Sequence, residues 1–241
     1  MPLTDRTRAE AREIIARYPK PRSALLPLLH LVQSEEGYVT QEGVTLCAEL
    51  LGLTKAEVGA VATFYSMYKR RPMGDYHVGV CTNTLCAVMG GDAIFDALKE
   101  HLDIGNDETT PDGRVTLEHI ECNAACDFAP VVMVNWEFFD NQTVQSAKDL
   151  VDRLRAADRS DPASLPLPTR GGRLCTWREA ERILAGFVDD RADDGPSAGP
   201  ASLVGLRIAR ERGDEAPAVP AAPSASAPSA PSAPSAERGK S

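Results

Sequence analysis

The chain has 241 residues, 43% of them hydrophobic, and a formal net charge of −9, enough for one domain with a substantial core plus extensions. The acidic balance argues against nucleic acid or an anionic membrane surface as partner. No apolar run is long enough to span a bilayer and no signal peptide opens the chain.

Residues 1–74 read as a helical bundle. The arginine-rich start also holds Asp5, Glu10 and Glu13, too many acids for a transit peptide, so it reads as the first helix of the mature protein. Thr4 is placed to cap that helix, which ends before Pro19. Ser23 is placed to cap a second, through Leu25, Leu28, Leu29 and Val32 to Gly37, with Pro27 in its first turn, where a missing N–H costs little. Thr40 caps a third helix ended by Gly52, and Thr54 with Glu57 makes the capping-box pattern of a fourth. Phe64, Tyr65, Met67 and Tyr68 follow and are expected in the core, with Lys69-Arg70-Arg71-Pro72 as the junction.

Residues 75–157 hold all the excess acidity: 5 basic and 15 acidic side chains, against 10 and 8 in 1–74 and 11 and 12 in 158–241. A site there should bind electrons reluctantly, because carboxylates oppose added negative charge. Four of the six cysteines lie here in two pairs, Cys81 with Cys86 and Cys122 with Cys126. Each pair follows a run of strand character, 76–80 and 115–121, and both are expected to curl into loops. Between them Gly90-Gly91-Asp92 opens an amphipathic helix with Ile94, Phe95, Leu98 and Leu102 on one face. The order is that of a βαβ unit, which brings four sulfurs to one end of a sheet.

Four converging thiols suit an iron–sulfur cluster first. A zinc site, a redox dithiol and two structural disulfides stay open. Zinc knuckles and dithiols usually have shorter gaps than the first pair, and a reducing compartment opposes disulfides. Thr82, Asn83, Thr84, Asn123, Ala124 and Ala125 are small or polar, which lets backbone N–H groups approach sulfur. Leu85, Val88, Met89, Phe128 and Pro130 are expected to screen the site from water, and the sequence leaves the isomer of the Pro130 bond open.

Residues 131–135 and 136–139 read as two short strands, and 146–157 as a last helix, capped by Ser146, with Leu150, Val151 and Leu154 inside. Residues 158–241 read as an extended tail, disordered over 216–236, where only Ala, Pro, Ser and Val occur. Two apolar islands interrupt it, one around Leu174 and Trp177 and one around Val204, Leu206 and Ile208, both read as segments that dock on a partner. Cys47, among leucines, reads as a buried small hydrophobe and Cys175 as a tail thiol outside the quartet. His30, His77, His101 and His119 show no ligand spacing. No phosphate loop and no nucleophile with its base are present, so no catalytic residue is assigned.

At these residues the chain resembles the thioredoxin-like [2Fe–2S] ferredoxin family, and within it the peripheral-arm subunits of NADH:quinone oxidoreductases, the complex I of respiratory chains. The matching text is Val80-Cys81-Thr82-Asn83 to Cys86 and Gly90-Gly91-Asp92, then Glu121-Cys122, Ala125-Cys126-Asp127 and Ala129-Pro130-Val131-Val132-Met133-Val134-Asn135. Upstream, Glu36-Gly37-Tyr38-Val39 and Leu50-Leu51-Gly52-Leu53 also match, with 62–68, so that about residues 10–157 are covered. The resemblance implies an α+β fold, a helical bundle followed by a thioredoxin-like domain. It implies that Cys81, Cys86, Cys122 and Cys126 ligate one [2Fe–2S] cluster. It further implies a partner subunit carrying FMN and binding NADH, against which the bundle docks, and other peripheral-arm partners. The location implied is the cytoplasmic side of a bacterial membrane, held there through the complex, with the cluster an electron reservoir. The small diaphorase subunit of an NAD-linked formate dehydrogenase or a bidirectional hydrogenase is the alternative within the family. A zinc-stabilised interaction module is the alternative from a different class.

Overall fold

The computed structural model describes residues 3–159, 161–187 and 204–214. They belong to two units, Met1–Ser202 and Leu203–Ser241. The first begins with four helices, α1 (Asp5–Ala16), α2 (Leu25–Glu36), α3 (Gln41–Leu51) and α4 (Lys55–Phe64). Thr4, Thr40 and Thr54 hold extended backbone and accept the N–H groups of Thr7, Gly43 and Glu57, so each satisfies one of the orphan donors of a first turn. The start of α2 departs from the sequence expectation. Pro21–Ala24 forms a 3-10 turn that runs straight into the helix, Ser23 lies inside that turn, and no side chain caps α2. Gly37 (φ 85°) and Gly52 (φ 64°) end α2 and α3 in the left-handed conformation, which glycine adopts without a Cβ penalty.

The bundle buries Ile14, Leu28, Leu29, Val32, Cys47, Val58 and Tyr68 together. The aromatic run after α4 is split by the backbone. Tyr68 is buried and its hydroxyl donates to the Leu26 carbonyl at 3.0 Å, but Phe64 is 79% exposed and Tyr65 40%. The helix ends at Phe64 and Tyr65 turns extended (φ −94°, ψ 123°), so the core expectation holds for Tyr68 and fails for these two.

The sheet comes next: β1 (Tyr76–Cys81), α5 (Thr84–Val88), α6 (Gly91–Leu102), β2 (Glu108–Thr109), β3 (Val115–Ile120), β4 (Val132–Val134), β5 (Glu137–Phe139) and α7 (Val144–Ala156). The strand order is β2-β3-β1-β4-β5, with β1 and β3 parallel and the other pairs antiparallel. Tyr76, Val78 and Val80 of β1 pack with Ile94, Leu98 and Leu102 of α6 and with Leu150, Val151 and Leu154 of α7. The alternate residues His77, Gly79 and Cys81 therefore face the other side of the sheet. α5 and β2, of five and two residues, are too short for a periodic signal. α7 starts two residues earlier than the sequence suggests. Thr143 is its cap, and Ser146 is the reciprocating third residue of the box. The Ala129–Pro130 bond is cis.

Residues 161–187 do not run as an extended tail. Leu165 and Leu174 join the core of the sheet, Ala185 joins the core of the bundle, and α8 (Trp177–Leu184) packs along α2. The surface on which the first apolar island docks is the chain's own. In the second unit Val204–Arg212 forms α9, with Val204, Leu206 and Ile208 exposed. The low-complexity stretch 216–236 lies outside the described residues.

Candidate metal centre

Register brings the cysteines to one place. Cys81 ends β1 directly opposite Ile120, the last residue of the parallel β3, so both strands release their loops at the same end of the sheet. Cys86 sits on α5, Cys122 in the loop after β3, and Cys126 opens a 3-10 turn to Phe128. The Cys81 N–H donates to the Val131 carbonyl at 3.1 Å, and Asn83 Nδ2 donates to the Ile120 carbonyl at 3.3 Å, tying one cysteine arm to the other. Gly91 lets α6 close onto the first arm: a Cβ there would sit 2.5 Å from the Cys81 carbonyl oxygen and 2.9 Å from that of Cys86. Both obstacles are backbone. Gly91→Ala is thus expected to cost about 1–3 kcal/mol, read as a lower urea midpoint; an unchanged midpoint would show that the arm yields freely.

The two pairs differ in environment. Cys81 and Cys86 are buried, among Ala125, Ala129, Val131 and Met133, whereas Cys122 and Cys126 are exposed. Burial pushes the Cys86 thiol up to about 11; the Val131 N–H acts against that rise and the neighbouring Cys81 adds to it. Desolvation also raises Cys126, together with the thiols of Cys122 and Cys81 and the carboxylate of Asp127. Cys86 and Cys126 therefore each feel the partner of their own pair first and the other pair next. Ala124 is held at φ 53° and its N–H points to Cys122 Sγ at 3.4 Å. Among the described residues no group of three or more His, Cys, Asp or Glu converges on one point as a set for a single ion. The sulfurs come as two pairs, and a binuclear cluster takes two thiolates on each iron. The donor set and the backbone donor at Cys122 therefore fit a [2Fe–2S] group.

The expected apolar screen is only partly there. Pro130 is buried and Phe128 half-buried, but Leu85, Val88 and Met89 are exposed, Val88 at 81%. α5 is a single turn and a half that turns Cys86 inward, which leaves its other side chains outside. Trp136 and Met133 contribute walls that sequence reasoning did not assign. Behind the second pair lies a cavity of about 250 Å³ lined by Cys122, Asn123, Trp136, His77, Glu118 and Lys69, among others. His77 Nε2 lies 2.6 Å from Glu118, which also pairs with Lys69. His30 is buried, with its Nδ1 2.6 Å from Glu181 Oε2.

A family model described as thioredoxin-like [2Fe–2S] ferredoxin matches residues 11–155. The E subunit of NADH-quinone oxidoreductase from Mycobacterium tuberculosis is 64% identical over 213 residues, 88% of this chain and 82% of that protein. Its counterpart in Thermus thermophilus, NADH-quinone oxidoreductase subunit 2, is 40% identical over 157 residues, 64% of this chain and 87% of that one. The cysteine-bearing β1–α6–β3 unit lies wholly inside the matched span, and the chain belongs to the thioredoxin-like [2Fe–2S] ferredoxin family, in the branch of NADH-quinone oxidoreductase E subunits.

Proposed function

We propose that Cys81, Cys86, Cys122 and Cys126 hold one [2Fe–2S] cluster, through which this electron-transfer subunit exchanges single electrons with a flavin on a partner chain that handles the hydride chemistry of NADH. The observation that carries this reading is the meeting of two thiol pairs at the shared end of β1 and β3. A cluster so held supplies a one-electron carrier. The chain's own residues supply everything around it. The four thiolates ligate. The N–H groups of Ala124 and Val131 bond to sulfur and favour the more negative, reduced form, and Val131, Met133 and Trp136 keep water off. The acidic side chains of 75–157 act in the opposite sense, against an added electron. No described helix is long and apolar enough to cross a membrane, which fits a subunit held at the cytoplasmic face through its partners.

The test is anaerobic purification of the full chain, followed by iron and sulfide analysis and electron paramagnetic resonance after chemical reduction. About two irons and two sulfides per chain with a spin-half signal are expected. Stoichiometric zinc, with no signal even after reconstitution with iron and sulfide, would move the function to scaffolding.

A further inference from the structure

The segment that carries α8 begins beyond the family match, which ends at residue 155, and contains none of the four cysteines of the site. It nevertheless reaches the wall of that site. On one side α8 is fastened to the bundle. Arg182 pairs with Glu10 at 2.8 Å, Trp177 Nε1 donates to the Gly37 carbonyl at 2.9 Å, and Glu181 Oε2 meets His30 Nδ1 at 2.6 Å and Gln33 Nε2 at 2.7 Å.

On the other side it meets the turn between β4 and β5. That turn puts two non-glycine residues in the left-handed region, Asn135 (φ 47°) and Trp136 (φ 75°). A bulky residue there is strained and persists only where its surroundings hold it. Much of the hold comes from this segment. Asn135 Nδ2 donates to the Cys175 carbonyl at 2.7 Å as well as to that of Asp75 at 3.0 Å, and Trp136 Nε1 donates to Glu181 Oε1 at 3.3 Å. The Trp177 ring lies 5.9 Å from Trp136 and 5.6 Å from His77. Trp136 in turn packs on the apolar cluster of Cys81, Cys86 and Ala129 and shares a cavity lining with Cys122.

We infer that residues 172–187 are a positioning strap for the redox site: Trp177 and Glu181 hold Trp136 against the cysteine pocket and so set how much water reaches the sulfurs. The inference rests on the cluster reading above. Water stabilises the reduced, more negative state of a cluster, so releasing Trp136 shifts the reduction potential to more positive values.

The test uses the full-length chain carrying its cluster, with a redox titration followed by visible absorbance, and hydrogen exchange of the Asn135 and Trp136 region in both the metal-free and the loaded protein. Trp177→Ala is expected to speed exchange at the turn by about tenfold or more and to shift the midpoint positive, while Trp177→Phe, which keeps a ring in place, stays near the parent value. Trp136→Gly suits the left-handed backbone and removes the ring with the strap intact, so it keeps the question open if Trp177→Ala fails to fold; the same positive shift is expected. Faster exchange with an unmoved midpoint, an unmoved midpoint in Trp136→Gly, or unchanged exchange in Trp177→Ala would each overturn the assignment. A parent chain that binds no iron at all would instead overturn the cluster reading, and the exchange data would still tell whether the strap holds the turn.

Discussion

Replacing Cys122 with serine is expected to leave the fold standing and strip the chain of iron, from about two atoms to near none. Cys122 is exposed, in a loop whose Ala124 N–H points to its sulfur at 3.4 Å. Packing therefore loses little, and the unfolding free energy should stay within about 0.5 kcal/mol of that of the metal-free parent, the range of an ordinary surface change. Ligation loses much, because a serine hydroxyl gives up its proton far less readily than a thiol. Cys47→Ser should behave in the opposite way. Cys47 is buried in the bundle, and burial pushes its thiol up to about 12, so it remains a neutral apolar group. A hydroxyl without a partner at that position costs about 1–3 kcal/mol, while iron content and spectrum remain unchanged. The pair of variants separates ligand from core cysteine in one experiment. Full iron retention and an unaltered spectrum in Cys122→Ser would remove that residue from the ligand set, and loss of iron in Cys47→Ser would mean that bundle stability, not ligation, controls loading.

What can be read in the sequence is what is written locally. Thr4, Thr40 and Thr54 announce their helices because a cap acts over three residues, and Gly37 and Gly52 end theirs by a property of single residues. The two long strands and α6 are legible because alternation and amphipathic spacing each persist there for at least six residues, and the cysteine pairs then follow from where those strands end. Ser146 looks like a cap because serine is a good one; Thr143 is equally good and comes first. Leu85, Val88 and Met89 are apolar beside the site, but composition does not tell which way a single turn presents its side chains. The strap is the feature least visible in the sequence. Its decisive contacts join residues far apart in the chain, Glu181 with His30 across 151 positions and Trp177 with Gly37 across 140. Such a buried carboxylate looks, in sequence, like any solvated glutamate on a polar helix.

Glu118 carries a further signature that can be titrated. It lies between Lys69 and His77 with its side chain 16% exposed. Burial alone would raise its pKa; the N–H of His77 and the charge of Lys69 outweigh burial and hold the carboxyl at about 2, against an ordinary 4.5. Burial keeps His77 itself neutral, lowering its pKa from 6.5, so its Nε2–H donates to Glu118 and the charge partner is Lys69. The two signs follow separately. A buried neutral histidine costs stability once the unfolded chain can protonate, so the His77 loss begins as pH falls through about 6.5. A carboxyl with a depressed pKa contributes fully above the unfolded value, and its contribution is lost as pH falls from about 4.5 to about 2, worth ~3 kcal/mol at most. Urea unfolding of the metal-free chain should show both stages, free of acid loss of iron. Glu118→Gln at neutral pH leaves the Lys69 ammonium, 10% exposed, without its carboxylate, at an expected cost of about 2–4 kcal/mol. The difference from the parent should then shrink as pH drops through the lower stage, because the parent's carboxyl becomes neutral as well. Parallel curves for parent and variant down to about pH 2 would show that Glu118 is not the group that titrates, and would shift the acid sensitivity of this face of the sheet to His77 alone.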